Sequence, residues 1–186
     1  MAPALVAIGT SLGGLSALRT MLKGVPGCFT VPIAIVQHRD QGSTDMLSRI
    51  LQQESALTIL EVEDKEPIRP GFVYLAPPNY HLLAEPEYFS LSIDPPVAFA
   101  RPSIDVLFES AAKVYAQSVI GIILTGANQD GSEGLAQIKA QGGTTIVQDP
   151  RTAECPIMPE AAIAKSTVDY VLPLHQIPSM LVTLCS

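Results

Sequence analysis

Apolar residues along this chain fall into two alternating rhythms. Uninterrupted apolar runs stand at Ala4–Gly9 (ALVAIG), Ile33–Gln37 (IAIVQ) and Val119–Leu124 (VIGIIL). Runs of this kind predict strands covered on both faces, as in a parallel sheet. Between them, apolar residues return at helical spacing. Leu15, Leu18, Met21 and Leu22 predict a helix over about Gly14–Lys23. Further helices are expected over Thr44–Gln53 with Ser43 as N-cap, from Ser103 or Asp105 to near Ala116, and over Ser132–Ala140, which Gly142-Gly143 stops. Shorter strands are read at Leu57–Glu61, Thr145–Gln148 and Tyr170–Leu172, with helices over Pro159–Lys165 and Ile177–Leu184.

The middle of the chain breaks this rhythm. Roughly from Pro67 to Pro96 it carries Pro67, Pro70, Pro77, Pro78, Pro86, Pro95 and Pro96. Short runs at Phe72–Leu75, His81–Ala84 and Tyr88–Ile93 lie between them. Proline cannot donate to a central ladder, so this stretch reads as β-hairpins inserted at the edge of a parallel core. The fold class expected is α/β: a doubly wound, mostly parallel sheet with helices on both faces and an antiparallel β-hairpin insertion.

Composition narrows the function classes. At 186 residues the chain is expected to form one domain, 1–186, able to bury a core without disulfides or metal. Hydrophobic residues make up 47% and charged residues 16%, which excludes a disordered chain. The net charge of −7 argues against nucleic-acid binding, which needs a basic footprint. Cys28, Cys155 and Cys185 are scattered and form no CxxC, so zinc-ribbon and disulfide-scaffold readings fail. No apolar run reaches the ~18 residues of a membrane span, and the N-terminus lacks a basic segment of secretory type. A cytoplasmic location is expected, without membrane insertion. No His/carboxylate cluster has metal-ligand spacing, and no metal or organic cofactor is expected.

In open α/β sheets, chemistry gathers at the carboxyl ends of strands. After the first strand comes Gly9-Thr10-Ser11-Leu12-Gly13-Gly14 and then a helix. The strand–turn–helix context suits a nucleophilic serine beside a helix N-terminus, where free N–H groups can stabilise an oxyanion. Ser11 as a plain helix cap is the structural alternative. A dinucleotide loop is disfavoured, because position 11 breaks the GxGxxG spacing. After the second strand comes His38, a possible general base. After the Val119–Leu124 strand comes Asp130, in a glycine-flanked turn ahead of a helix. It suits either an N-cap or a group that orients His38. The order Ser, His, Asp differs from the α/β-hydrolase order of Ser, acid, His.

At these residues the sequence resembles a known family. IGTSLGGLSAL (Ile8–Leu18), VQHRD (Val36–Asp40), RPGFVYLAPPNYHL (Arg69–Leu82), RPSIDVLFESAA (Arg101–Ala112), GIILTGANQDGSEGL (Gly121–Leu135) and GGTTIVQDP (Gly142–Pro150) resemble the catalytic domain of the chemotaxis protein-glutamate methylesterases. The resemblance covers nearly the whole chain. It implies hydrolysis of glutamate γ-methyl esters on methyl-accepting chemotaxis receptors, with methanol released, and deamidation of receptor glutamines in many members. It implies Ser11 as nucleophile, His38 as general base and Asp130 as third member of a triad. Backbone N–H groups near Leu12 and Ala127 are expected at the oxyanion. Arg101 and Met158 are expected beside the substrate, and coiled-coil receptor helices as the partner.

The sequence also departs from the family pattern. Leu12 replaces a small hydroxyl residue, Ala127 a methionine, Asn128 a glycine, and Ile157 the glycine ahead of the Met-Pro pair. The receiver domain usual in this family is not expected, because the resemblance begins by Ala4. The competing reading is a catalytically impaired domain that binds a receptor or another signalling partner. Helix capping or salt bridging is the plainer reading of Arg101, Ser103 and Asp105. His81 and His175 are expected to be structural or solvated.

Overall fold

A computed structural model describes residues 2–39 and 46–186. The expected Ser43 cap and the first two residues of the second helix lie outside the described residues.

The three strongest apolar runs form adjacent strands at the centre of a parallel sheet. They are β1 (Leu5–Thr10), β2 (Ile33–Gln37) and β8 (Val119–Ile123), and β1 pairs with both neighbours in parallel. Also in the sheet are β3 (Thr58–Glu61), β5 (Phe72–Leu75), β9 (Thr144–Gln148) and β10 (Tyr170–Leu172). The seven-strand order is β10-β9-β8-β1-β2-β5-β3. From β1 the chain builds outward to one side and later returns to the other. The crevice above the carboxyl end of β1 is therefore the topological switch point, where ligands of such sheets bind.

Helices cover both faces. On one side α1 (Gly14–Lys23), α2 (Met46–Gln52) and α6 (Ile177–Leu184) bury Leu18, Leu22, Leu51 and Leu181 against Ile8, Ile35 and Ile122. On the other, α3 (Ile104–Tyr115), α4 (Ser132–Ala140) and α5 (Ile157–Lys165) bury Phe108, Ile138 and Ala162 against Ala7, Ala34 and Ile123. The fold class is the one expected from the alternating patterns. The helix read as Pro159–Lys165 starts at Ile157 instead, because proline is tolerated in a first turn whose N–H groups lack partners anyway.

One expectation needs correction. Phe72–Leu75, read as part of the hairpin insertion, is β5 of the main sheet, parallel to both β2 and β3. Val73, Tyr74 and Leu75 are all buried, so this run is apolar on both faces rather than alternating. Prolines on either side of it bound the strand without interrupting it. The antiparallel part is smaller: β4 (Glu66–Pro67), β6 (His81–Ala84) and β7 (Tyr88–Ser92), in the order β4-β7-β6. It packs Leu82, Ala84 and Phe89 onto the α3 face of the core.

Candidate active site

The loops after β1, β2 and β8 bring Ser11, His38 and Asp130 to one rim of the sheet. Close backbone approach sets their positions. His38 N–H donates to Thr10 O at 3.1 Å, and Ser11 N–H donates to Thr125 O at 3.0 Å. Gly13 takes φ +79° at the N-cap of α1, and a Cβ on Gly14 would stand 1.9 Å from Gln37 Oε1. The glycines thus let the Ser11 turn press against the end of β2. Ser11 does not cap α1 with its side chain.

His38 and Asp130 are paired, with Nε2 at 2.7 Å from Asp130 Oδ2. The Asp130 side chain is fully buried and accepts three further hydrogen bonds. Ile104 N–H donates to Oδ2 at 2.7 Å; Ser103 Oγ and Asp105 N–H donate to Oδ1 at 2.8 and 3.0 Å. Burial alone would push this carboxyl up. The His38 hydrogen bond and the Asp105 and Ile104 amides outweigh burial and hold it below the ordinary aspartate range. Asp130 does cap a helix, but not the one that follows it. Gly131 stands at the N-cap of α4, while Asp130 binds the first amides of α3. Ser103, the expected cap of α3, donates its hydroxyl to Asp130 instead.

The tautomer of His38 follows from its other neighbour. Asn128 Oδ1 accepts Asp130 N–H at 3.1 Å, which turns the Asn128 amide nitrogen toward His38 Nδ1, 3.2 Å away. An amide N–H can only donate, so Nδ1 carries the lone pair and Nε2 carries the proton given to Asp130. A base with its lone pair on one side and a buried carboxylate behind it can take a proton from a hydroxyl that displaces the Asn128 N–H from Nδ1.

Two cavities meet at these residues. One, of about 750 Å³, is lined by Ser11, Leu12, Leu15, Gln37, His38 and Glu154 among others. The second, of about 470 Å³, is lined by Ser11, His38, Arg39, Phe99, Arg101 and Asn128 among others. Ser11 and His38 line both.

A family model described as CheB methylesterase matches residues 6–181. The chain belongs to the CheB methylesterase family. It is 51% identical over 180 residues to a Leptospira interrogans protein provisionally named protein-glutamate methylesterase/protein-glutamine glutaminase, covering 96% of this chain and 93% of that protein. It is 44% identical to an Anaeromyxobacter dehalogenans protein-glutamate methylesterase/protein-glutamine glutaminase, covering 95% of this chain and 52% of that one. The chain therefore spans nearly all of the first relative and about half of the second. The crystal structure of the Thermotoga maritima CheB methylesterase catalytic domain superposes with a TM-score of 0.95 at 37% identity, covering 99% of this chain and 100% of that one.

The other residues expected around this CheB-type site fall in different places. Leu12 is exposed at the mouth of the first cavity. Ala127 is exposed on the turn after Gly126. Arg101 lines the second cavity and donates Nη1 to Ile93 O at 2.9 Å and Asp94 O at 3.2 Å. Met158, expected beside the substrate, is buried instead; a Cβ on Gly126 would meet its Cε at 2.5 Å, so it packs beneath that loop. His175 is exposed, and His81 is a buried structural residue. His81 Nδ1 accepts Ser103 N–H at 3.2 Å, and its Nε2 lies 3.1 Å from Pro95 O.

Three residues of the site carry no signal read from the sequence. Gln37 donates Nε2 to both Ser11 O and His38 O, each at 2.9 Å, and so ties the Ser11 and His38 loops together. Thr125 ties the Ser11–Leu12 turn to the segment around Cys155: its hydroxyl donates to Leu12 O at 2.9 Å and accepts Cys155 N–H at 2.8 Å. Arg39 pairs with Glu61 at 2.9 Å behind the His38 loop. The clue available was position, since a polar residue ending a buried strand must spend its hydrogen bonds on the loops above it.

Proposed function

We propose that this chain is a serine hydrolase that demethylates glutamate γ-methyl esters on methyl-accepting chemotaxis receptors and also acts on receptor glutamines as a deamidase. The observation that carries this reading is the 2.7 Å His38–Asp130 pair at a cavity that Ser11 also lines. Membership of the CheB methylesterase family supplies the ester as the group attacked.

Each role follows from the chemistry of its residue. Ser11 Oγ attacks the ester carbonyl carbon and gives its proton to His38 Nδ1, the nitrogen not spent on Asp130, and takes the place there of the Asn128 N–H that occupies it in the free enzyme. The buried Asp130 carboxylate stabilises the resulting imidazolium. The backbone N–H groups of Leu12 and Ala127 are assigned to the oxyanion of the tetrahedral intermediate. The intermediate collapses with loss of the methoxy group, which takes the proton from His38 and leaves as methanol. Water then attacks the Ser11 ester, again giving a proton to His38. The serine is freed and the glutamate side chain leaves as a carboxylate. With an amide substrate the leaving group is ammonia. The partner is a helical receptor surface in the cytoplasm; among the described residues no helix is long and apolar enough to cross a membrane.

Methanol release from a methyl-esterified receptor fragment tests the reading. Ser11→Ala is expected to lower the rate by about 10³-fold or more. Equal rates for the two proteins would remove Ser11 as the nucleophile. Binding of the fragment with no turnover by either protein would favour an impaired binding domain.

A further inference from the structure

The segment between β7 and α3 contains a two-residue hairpin at the lip of the second cavity. Val97 and Ala100 exchange both backbone hydrogen bonds, at 3.1 and 2.9 Å. The two residues between them, Ala98 and Phe99, have φ of +48° and +65°. Turns with positive φ at both central positions ordinarily carry Asn-Gly or Gly-Gly, because a Cβ is crowded there. This chain places a methyl-bearing residue and a large aromatic one at the two positions.

Folding does not reward that choice. Phe99 is 104% exposed, whereas Phe29, Phe89 and Phe108 are all buried in the two cores. The chain thus accepts a strained backbone in order to hold an aromatic ring in water, and a strained, over-determined position is a reason to look for function. The hairpin is also held in place. Arg101, just past it, fastens the preceding Ile93 and Asp94 carbonyls with its guanidinium. Phe99 lines the same cavity as Ser11, His38 and Asn128. Across Ser11, exposed Leu12 and Leu15 line the other cavity. Apolar side chains therefore flank the serine on both sides.

We propose that Phe99 is a substrate-contacting specificity residue, whose ring packs against an apolar side chain of the helical protein substrate next to the esterified glutamate. The proposal rests on the methylesterase reading and goes on to name what the enzyme recognises besides the ester. A ring at the lip of the site, with no charge and no hydrogen-bonding group, selects an apolar neighbour. It is suited to grip the protein that carries the ester rather than the small acyl group itself.

The experiment compares two substrates: a methyl-esterified receptor fragment and the γ-methyl ester of N-acetylglutamate. The variants are Phe99→Ala and the double variant Ala98→Asn/Phe99→Gly, which gives the turn its preferred residues. For both, the ratio of kcat/KM on the fragment to kcat/KM on the small ester is expected to fall about tenfold, through KM on the fragment. The double variant should melt no lower than wild type, which separates loss of contact from loss of fold. An unchanged ratio in the double variant would overturn the proposal. A second arm measures binding of the labelled fragment to Ser11→Ala with and without the Phe99 change, where no turnover is needed. About tenfold weaker binding supports the contact, and equal binding or none overturns it. If Ser11→Ala leaves ester hydrolysis unaffected, the esterase reading fails, and this arm still decides the contact.

Discussion

Asn128 shows how much one side chain can set. Its carbonyl oxygen accepts the Asp130 amide, so its nitrogen faces His38 Nδ1 and thereby defines which ring nitrogen holds the lone pair. Replacing it with leucine, similar in size but without polar atoms, removes both bonds. The measured kcat of Asn128→Leu is expected to fall about tenfold, while the Ser11-dependence of the residual activity persists. Gln37 works differently, since one donor nitrogen holds two carbonyls while its own Oε1 is buried without a partner. In Gln37→Met the lost hydrogen bonds are partly offset by removal of that unsatisfied oxygen. Thermal melting of Gln37→Met should change little. Its kcat should fall about tenfold, because the Ser11 and His38 loops lose their shared tie. Asn128 stood out from the chain only as a departure from the family pattern and Gln37 not at all; the contacts of neither were legible there. Each acts only once loops after β1, β2 and β8 have met, and no local spacing encodes that meeting.

At the scale of elements, α3 depends on the carboxylate set before α4. Asp130 accepts the Ile104 and Asp105 amides, a side-chain cap supplied from 25 residues away or more. The neighbouring Asp105 carboxyl is pushed up to about 6, chiefly by burial, with the Asp130 charge adding and the Gly134 amide opposing. Its protonated form is favoured by folding, so its contribution to stability is full below the unfolded aspartate value and declines as pH rises through about 6. In Asp105→Asn that decline disappears, and the amide oxygen can still accept the Gly134 N–H. Denaturant melts at pH 4 and pH 7 should show the variant gaining on wild type at the higher pH. The gain should be about 1 kcal/mol once solvent screening is allowed for. Sequence reading found β1, β2 and β8 because each is apolar without interruption, and it singled out Ser11, His38 and Asp130 because each follows such a run. It misplaced β5 because the prolines around Phe72–Leu75 mark hairpins more often than a central parallel strand. It gave Ser103 a capping role by type, whereas the hydroxyl had a stronger acceptor in a carboxylate brought by another loop.

For the molecule as a whole, the two cores lie on opposite faces of one sheet and share its strands. Val6 and Ile8 face one side while Leu5 and Ala7 face the other. Neither face can be lost without exposing the back of the other, so unfolding is expected to be a single cooperative transition. Leu18→Ala on the α1 face and Phe108→Ala on the α3 face should each cost about 3–5 kcal/mol and shift that same transition, with calorimetric and van't Hoff enthalpies in agreement. Two separate transitions would show the faces to be independent.

The buried carboxylate before α4 has a consequence for how the enzyme fails on warming. It is at once the imidazole's anchor and the fastening of a helix end. Ser103, Ile104 and Asp105 at that end are themselves buried, so the partner that His38 relies on loosens only when the core opens. Heat should therefore silence turnover in the same interval in which the chain comes apart, and cooling that restores the fold should bring activity back with it.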